Sequence, residues 1–241
     1  LAADAAQAES LAARLRSALA DLPGLRFNDH PSARLPGLVS LSIEGVEGES
    51  LVDALPELAV SSGAACDSAS GEPSYVLRAL GLPSELAQAT LRIAFGRFST
   101  PAEADLAATA IRRAVERLRT EDASGPPPGE GWAVGEAGSR REGAHVRCYL
   151  RTAPAGLGGE GGPYIAAAEF RVFGCPHVRA VAGALARALA GGPLAAPTIG
   201  GPRDWAVRHD VPTEKLGRLL RVEDAWQRAR EAALAAAADR P

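Results

Sequence analysis

The chain has 241 residues, enough for one or two domains, and its formal net charge of −3 gives no basic field for binding nucleic acid. No apolar run approaches the roughly 18 residues of a membrane span, and no signal-peptide pattern is present. The chain has three cysteines, an odd number, and they lie far apart at Cys66, Cys148 and Cys175. This argues against a disulfide framework and predicts a reducing, cytoplasmic location.

Two residue types are missing or nearly missing. The sequence contains no methionine, so we expect the natural protein to begin before Leu1. Its single lysine, Lys215, is the one candidate for any mechanism that forms a lysine Schiff base.

The first half of the chain alternates helical and strand patterns. Leucine and alanine at helical spacing predict an amphipathic helix over residues 1–21. Two further short helices and three strands are predicted, the helices at 49–58 and 73–80 and the strands at 25–27, 38–43 and 90–95.

A longer helix follows these elements. Thr100 as N-cap, Pro101 in the first turn and Glu103 completing a capping box predict its start, and it is expected to run to about Arg119. Its predicted buried side consists of Leu106, Ala110, Ile111, Ala114 and Leu118.

A Pro/Gly-rich stretch predicts a linker over residues 122–131, between a first domain at 1–121 and a second at 132–241. In the second domain, strands at 144–151 and 164–173 are expected to form an antiparallel hairpin. A helix from Pro176 to about Ala190, a loop, and two helices at 215–220 and 222–238 should follow.

Cys66 is the central residue of a run of small side chains from Ala59 to Gly71. Such a run buries too little apolar area to hold itself rigid, so it predicts a mobile loop that carries a thiol. A thiolate is a strong nucleophile and can hold a second sulfur atom as a persulfide. The alternative is a Ser/Gly linker with an incidental cysteine.

Arg92 is the only charge among the core positions of its strand, where Leu91 and Ile93 take the opposite face. A fixed guanidinium can bind a substrate carboxylate through two hydrogen bonds. The alternative is a strand arginine on a solvated face.

Cys175 follows a strand and precedes Pro176, which places it at a helix N-terminus where the helix dipole favours a thiolate. His177 could serve as its proton partner or as a metal ligand. The alternative is an inert cysteine beside a surface histidine. A metal site normally needs three or four ligands, and no CxxC or HxxxH spacing occurs.

Residues 38–97 resemble the C-terminal small domain of PLP-dependent cysteine desulfurases of the IscS/NifS type, and the resemblance extends over about 1–120. The matching stretches are residues 46–51, 59–66, 72–81 and 91–98. The resemblance implies that Cys66 is the persulfide carrier and that Arg92 binds the substrate carboxylate. In that family PLP lies on a large domain that supplies a lysine, an aspartate and a histidine. This chain contains none of that domain, so we expect it to bind no PLP alone.

Residues 131–238 resemble the IscU/NifU N-terminal scaffold on which Fe–S clusters are built. The resemblance places the scaffold's second cysteine on Cys175, its first cysteine near Glu142, its aspartate near Ala144 and its His-Cys pair near Gly217-Arg218. Only one of the usual ligands is present. The resemblance therefore implies a degenerate scaffold that holds neither an Fe–S cluster nor zinc, and Cys175, His177 and Glu142 are the remaining metal candidates.

Together these patterns predict an α+β protein: an α/β-like small domain of a fold-type-I PLP enzyme, then an IscU-like domain with an antiparallel sheet and flanking helices. The predicted function is sulfur mobilisation for Fe–S cluster assembly, with Cys66 as carrier and Cys175 as sulfur acceptor. A catalytically inactive adaptor that binds a desulfurase or an Fe–S assembly partner is the alternative. The implied partners are Fe–S assembly proteins or a desulfurase large domain, L-cysteine as the sulfur source, and a second copy of the chain.

Whether the chain is part of an enzyme stays open at this stage. The large domain was removed from this chain, or belongs to another chain, or is absent because the chain is a remnant with a binding role.

Overall fold

The structure, a computed structural model, describes residues 1–30, 32–62, 74–122, 126–154, 162–195, 197 and 199–238. The chain divides into two compact units, Leu1–Thr120 and Glu121–Pro241. Each unit has its own antiparallel sheet and its own hydrophobic core, which confirms the predicted α+β class.

The first unit is a four-stranded sheet with helices. Its elements, in chain order, are α1 (Ala2–Leu19), β1 (Leu25–Phe27), β2 (Leu38–Ile43), α2 (Gly48–Asp53), β3 (Ser61–Ser62), α3 (Tyr75–Ala79), α4 (Ser84–Gln88), β4 (Thr90–Ala94) and α5 (Pro101–Glu121). The strands lie in the order β1-β2-β4-β3, and each pair is antiparallel.

Alternation along the strands separates the two faces of this sheet. Leu41 of β2 lies opposite Leu91 of β4, and Val39 lies opposite Ile93. These side chains are buried in one cluster with apolar residues of α1 and α5, among them Leu15 and Ile111. Ser40, Ser42, Thr90 and Arg92 therefore occupy the other face.

The predicted capping box of α5 is present. The Thr100 N–H donates to Glu103 Oε2 over 2.7 Å, and the Glu103 N–H donates to Thr100 Oγ1 over 3.3 Å. The prediction for Leu106 was wrong, because its side chain is 49% exposed. Near Leu106 the buried positions are Ala104, Ala107 and Ala108 instead.

Two short helices of the first unit differ from the prediction. Helix α2 ends at Asp53 rather than 58, because Pro56 lacks an N–H and disfavours helical backbone before it. Helix α4 was not predicted; it is a single turn after Pro83, too short to show a periodicity.

The second unit is a three-stranded antiparallel sheet in the order β5-β6-β7. Its elements are β5 (Trp132–Ser139), β6 (Ala144–Ala153), β7 (Tyr164–Phe173), α6 (Pro176–Leu189), α7 (Pro202–Arg208) and α8 (Leu216–Ala238). The predicted β6–β7 pairing is confirmed, while the segment joining the two strands at 155–161 lies outside the described residues.

Three elements of this unit differ from the prediction. Residues 202–208 form a helix where a loop was expected, and α8 is one continuous helix where two were expected. Strand β5 was not predicted, and Gly135 is the reason. A Cβ at Gly135 would collide with backbone atoms of Ala225 and Ala229, so the absent side chain is what lets β5 lie against α8.

Candidate functional site

Arg92 lies near the middle of β4, on the sheet face opposite the core. Its direct cross-strand partners are Ser40 in β2 and Ser61 in β3. The Arg92 side chain is exposed, and among the described residues its guanidinium makes no hydrogen bond or ion pair. A guanidinium with all of its donors available can bind a carboxylate through two parallel hydrogen bonds.

A buried hydrogen-bond chain supports this face. The Thr90 hydroxyl donates to the Leu86 carbonyl over 3.1 Å, so its oxygen accepts the proton of Ser42, whose Oγ lies 2.6 Å away. The Ser42 oxygen in turn accepts from Asn28 Nδ2 over 2.8 Å. This direction of donation sets the orientation of the Asn28 amide, whose Oδ1 is buried and has no partner among the described residues.

This chain of polar groups was not predicted from the sequence. Serines at alternate positions of β2, Ser40 and Ser42, were a usable indication of a polar sheet face. Asn28 lies just after the predicted strand at 25–27, and its contact with β2 depends on the β1–β2 pairing.

Cys66 lies outside the described residues, within the segment 63–73. The strand that leads into this segment is β3, and Ser61 of β3 is the neighbour of Arg92. The helix that follows the segment is α3, whose Leu77 packs with Leu82 and Ala87 in a small separate cluster.

Cys175 is the N-cap residue of α6, with Pro176 in the first turn, as the sequence predicted. Its side chain is 0% exposed and lies in the core cluster of the second unit. The predicted sulfur acceptor is therefore a core residue, and a reagent reaches its thiol only if the local structure opens. Cys148 in β6 is also fully buried, and burial raises the pKa of its thiol.

The other candidate ligands of the second unit lie in different elements. Glu142 is in an exposed 3₁₀ turn after β5, where its carboxylate accepts from Ser139 Oγ over 3.2 Å and pairs with Arg221 over 3.7 Å. His177 is half-buried in the first turn of α6. Within the described part of the chain, no group of three or more His, Cys, Asp or Glu residues is placed to hold a metal ion.

The turn after β5 lies close to the start of α8. A Cβ at Gly143 would be 3.6 Å from Arg218 Nη2, and one at Gly138 would be 3.3 Å from Arg221 Cδ. Thus the positions near Glu142 and near Arg218, which the scaffold resemblance assigned to cluster ligands, are neighbours, but they carry a carboxylate and guanidinium groups.

A second group of charges in this unit was missed by the sequence analysis. Asp122 is buried and paired with Arg140, whose guanidinium also stacks 5.2 Å from the centre of the Phe173 ring. Burial raises the pKa of the Asp122 carboxyl, although Arg140, His145 and Arg147 act in the opposite direction. Charged residues far apart in sequence give no pattern that would reveal such a pair.

The first unit contains no lysine on which PLP could form a Schiff base. The only lysine, Lys215, ends a 3₁₀ turn, Thr213–Lys215, in the second unit, and the first unit contains none. A Schiff base at the polar face around Arg92 therefore has no lysine in that unit to form on.

No helix in the described part of the chain is long and apolar enough to cross a membrane.

Comparison with known proteins finds relatives of the first unit. Residues 1–106 match the aminotransferase class-V family. The chain is 54% identical over 110 residues to the cysteine desulfurase IscS of Photobacterium profundum, covering 46% of this chain and 27% of that protein. It is 51% identical over 120 residues to the IscS of Pseudomonas savastanoi, covering 50% of this chain and 30% of the relative.

Two solved structures are also similar. A NifS-like protein from Rickettsia africae matches with a TM-score of 0.41 and 20% identity, over 47% of this chain and 29% of that one. A second NifS-like protein matches with a TM-score of 0.41 and 25% identity, over 48% and 29%. The chain thus spans less than a third of the length of the relatives it matches, and its N-terminal region is similar to aminotransferases of class V and to IscS cysteine desulfurases.

Proposed function

We propose that this chain takes part in sulfur mobilisation for iron–sulfur cluster assembly in the cytoplasm, with Cys66 as the persulfide carrier of a cysteine desulfurase. The observation that carries the proposal is the family match over residues 1–106, which includes both Cys66 and Arg92. The identity of 54% over 110 residues and of 51% over 120 residues to two cysteine desulfurases supports the same activity class.

Arg92 is proposed to bind the carboxylate of L-cysteine. Its exposure and its lack of partners among the described residues support this role, since a structural arginine is normally engaged by neighbouring acceptors. The Asn28–Ser42–Thr90 chain would hold the sheet beneath it in one arrangement, because each hydroxyl already has a fixed donor and acceptor.

Cys66 is proposed to take up one sulfur atom from L-cysteine and to hold it as a persulfide. Delivery then requires an acceptor thiolate to attack the terminal sulfur, which forms a new persulfide on the acceptor and releases Cys66 as a thiolate. The sulfur–carbon chemistry of the donor needs PLP from a large domain, which the residues of this chain do not supply. We assign no step of that chemistry to this chain.

For the second unit we propose a scaffold-like domain, with the domains divided at 1–121, 122–131 and 132–241. Two roles are candidates. In the first, Cys175 accepts sulfur from Cys66, and the covalent link between the units raises the acceptor's effective concentration. In the second, the unit is an adaptor for a desulfurase or an assembly partner, and the complete burial of Cys175 favours this role.

Mass spectrometry after treatment with a low-molecular-weight persulfide donor, such as glutathione persulfide, tests the carrier role on the chain as it is. We expect Cys66 to gain the mass of one sulfur atom, and a Cys66→Ser variant to gain none. Cys148→Ala is the matched control, because Cys148 is buried in the second unit. Persulfide on Cys148 or Cys175 with none on Cys66 would refute the carrier role.

The two roles of the second unit are separated by a Cys175→Ala variant in a sulfur-transfer assay. The assay joins the chain to a PLP-containing desulfurase domain and L-cysteine, and follows delivery of sulfide to a cluster-forming acceptor. Unchanged delivery supports the adaptor, and a loss of delivery with Cys66 still loaded supports the acceptor.

A further inference from the structure

Strand β7 is an edge of the three-stranded sheet, with β6 as its neighbour on one side. A register shift between Arg151 and Thr152 leaves Ala166 as an extra residue in β7. Such a bulge moves the alternation of the strand by one residue. The backbone N–H and C=O groups of Ile165 therefore point away from β6 before the bulge. Those of Ala168, Phe170 and Val172 point away from β6 after it.

The two ends of this outer edge are covered. The Ile165 N–H donates to the Gly192 carbonyl over 2.9 Å, and the Ile165 carbonyl accepts from the Gly191 N–H over 2.8 Å. At the other end, Arg179 Nη1 donates to the Val172 carbonyl over 2.8 Å, which supports the outward direction of that residue.

The centre of the edge is open. Within the described ranges, no hydrogen bond joins the backbone groups of Ala168 or Phe170, or the Val172 N–H, to anything beyond the β6–β7 ladder. This part of β7 contains no proline and no lysine, the residues that commonly protect an edge from pairing. An open cavity of about 260 Å³ lies beside it, where the small side chain of Ala182 and the backbone of Gly183 leave room.

The charges on this edge are complementary to themselves. Glu169 and Arg171 flank Phe170, point to the same sheet face, and form an ion pair with 2.5 Å between Oε1 and Nη2. The Arg171 side chain is 26% exposed, and its buried Nε has no hydrogen-bond partner among the described residues. A strand that carries Glu, Phe and Arg in this order presents opposite charges to its own copy when the two run antiparallel.

We propose that the outer edge of β7 pairs with the β7 edge of a second copy of this chain, antiparallel and centred on Phe170. The two-fold axis then places Phe170 opposite Phe170, and Ala168 opposite Val172, so that the outward N–H and C=O groups meet in both strands. The Val172 carbonyl, which already accepts from Arg179, receives the Ala168 N–H of the other copy on its second lone pair. Glu169 of each copy lies opposite Arg171 of the other, and the two sheets join into one of six strands.

The register of the pairing favours a second copy of the chain as the partner of this edge. A shift of the pairing by one residue places Phe170 opposite the charges and turns outward backbone groups away from each other. A shift by two residues in either direction loses both Glu169–Arg171 pairs. Only the arrangement centred on Phe170 satisfies the charges and the hydrogen bonds together, and it requires no residue from another protein.

The association is expected to be weak. A strand edge buries less area than the roughly 1,200 Å² typical of a stable interface, so the dimer should appear only at high protein concentration. Analytical ultracentrifugation of the full chain, over concentrations from about 10 µM to about 500 µM, measures it. We expect the average mass to rise from that of one chain toward that of two.

Charge reversal tests the register. Glu169→Arg and Arg171→Glu each put two like-charged pairs across the two-fold axis, and each should weaken the dimer about tenfold or more. The double variant Glu169→Arg/Arg171→Glu restores opposite charges and should restore the dimer. Glu231→Arg, an exposed position on α8, is the control with the same change in charge as Glu169→Arg.

Amide hydrogen exchange of the unmodified chain provides a test that needs no variant. The N–H groups of Ala168, Phe170 and Val172 should exchange more slowly as the concentration rises, while exposed amides of α8 should not change. A monomer at every concentration overturns the proposal, and so does a dimer that both single variants leave intact or in which these three amides gain no protection.

Discussion

Arg92 of β4 lies directly opposite Ser61 of β3, the strand that leads into the segment carrying Cys66. The β3–β4 register thus places Arg92 beside the last described strand before that segment. Neither the length of the segment nor its composition determines this; the β3–β4 pairing does.

Arg92→Ala should reduce activity without affecting stability. In a desulfurase that joins this unit to its PLP-binding region, loss of the guanidinium should lower kcat/KM for L-cysteine on the order of 100-fold. The melting temperature should stay unchanged, because Arg92 has no partner among the described residues. Arg26→Ala is the matched control, since Arg26 is an exposed arginine on the same sheet face. Equal losses in both variants would contradict the assignment.

Thr90→Val should destabilise the first unit by about 1–3 kcal/mol, because it leaves the buried Ser42 hydroxyl without an acceptor. The three tryptophans, Trp132, Trp205 and Trp226, all lie in the second unit. Far-UV circular dichroism should therefore show the shifted denaturation, while tryptophan fluorescence should not. Thr109→Val on the exposed side of α5 is the control. A comparable loss of stability there would show that the buried hydrogen bonds of Thr90 make no specific contribution.

Gly135→Ala should destabilise the second unit by about 1–3 kcal/mol or more, since a methyl group there meets the backbone of α8. Tryptophan fluorescence should report the loss directly. Gly217→Ala in α8 has open space around it and should be neutral or stabilising by up to about 1 kcal/mol. Similar stabilities for the two variants would show that β5 does not lie against α8.

The two buried thiols should resist modification. In the folded chain, Cys148 and Cys175 should react with Ellman's reagent far more slowly than a free thiol, because both side chains are 0% exposed. In denaturant all three cysteines should react. A Cys66→Ser variant identifies any fast-reacting group. Rapid labelling of Cys175 in the folded chain, mapped by mass spectrometry, would contradict its burial and favour the acceptor role.

The second unit should show a pH-dependent contribution from Asp122. Burial raises the pKa of this carboxyl above its ordinary value, so the folded state holds the proton more tightly than the unfolded chain. Stability from this group is present below about pH 4 and is lost as the pH rises through the folded pKa. Asp122→Asn should therefore gain stability relative to the unmodified chain as the pH rises.

Urea denaturation followed by tryptophan fluorescence, from about pH 4 to about pH 7, measures this difference. Arg140 should tolerate the change, because it is partly exposed and keeps its contact with the Phe173 ring. Asp210→Asn, at an exposed position of the same unit, is the matched control. A difference between Asp122→Asn and the unmodified chain that is constant with pH would contradict the prediction.

Local patterns in the sequence were sufficient for α1, α5, α6, the strands β2, β4, β6 and β7, and the α+β class, but not for β5 or for the continuity of α8. The Thr100–Glu103 capping box and the alternation of Leu91, Arg92 and Ile93 each act within a few residues, so they are visible without a partner. The roles of Cys66, Cys175 and Arg92 came from a resemblance and stay predictions.

Only the tertiary structure decided the rest, because the cause in each case is a contact between residues distant in sequence. Gly135 weakens the strand pattern in the sequence. It nevertheless allows strand β5 to form, because α8 lies too close to leave room for a side chain there. Cys175 has the local sequence of an activated thiol and is buried by the core that forms around it. The chain from Asn28 through Ser42 to Thr90 exists only once β1, β2 and β4 pair. Sequence determines what each segment tends to form, whereas burial and hydrogen-bond partners depend on which segments meet.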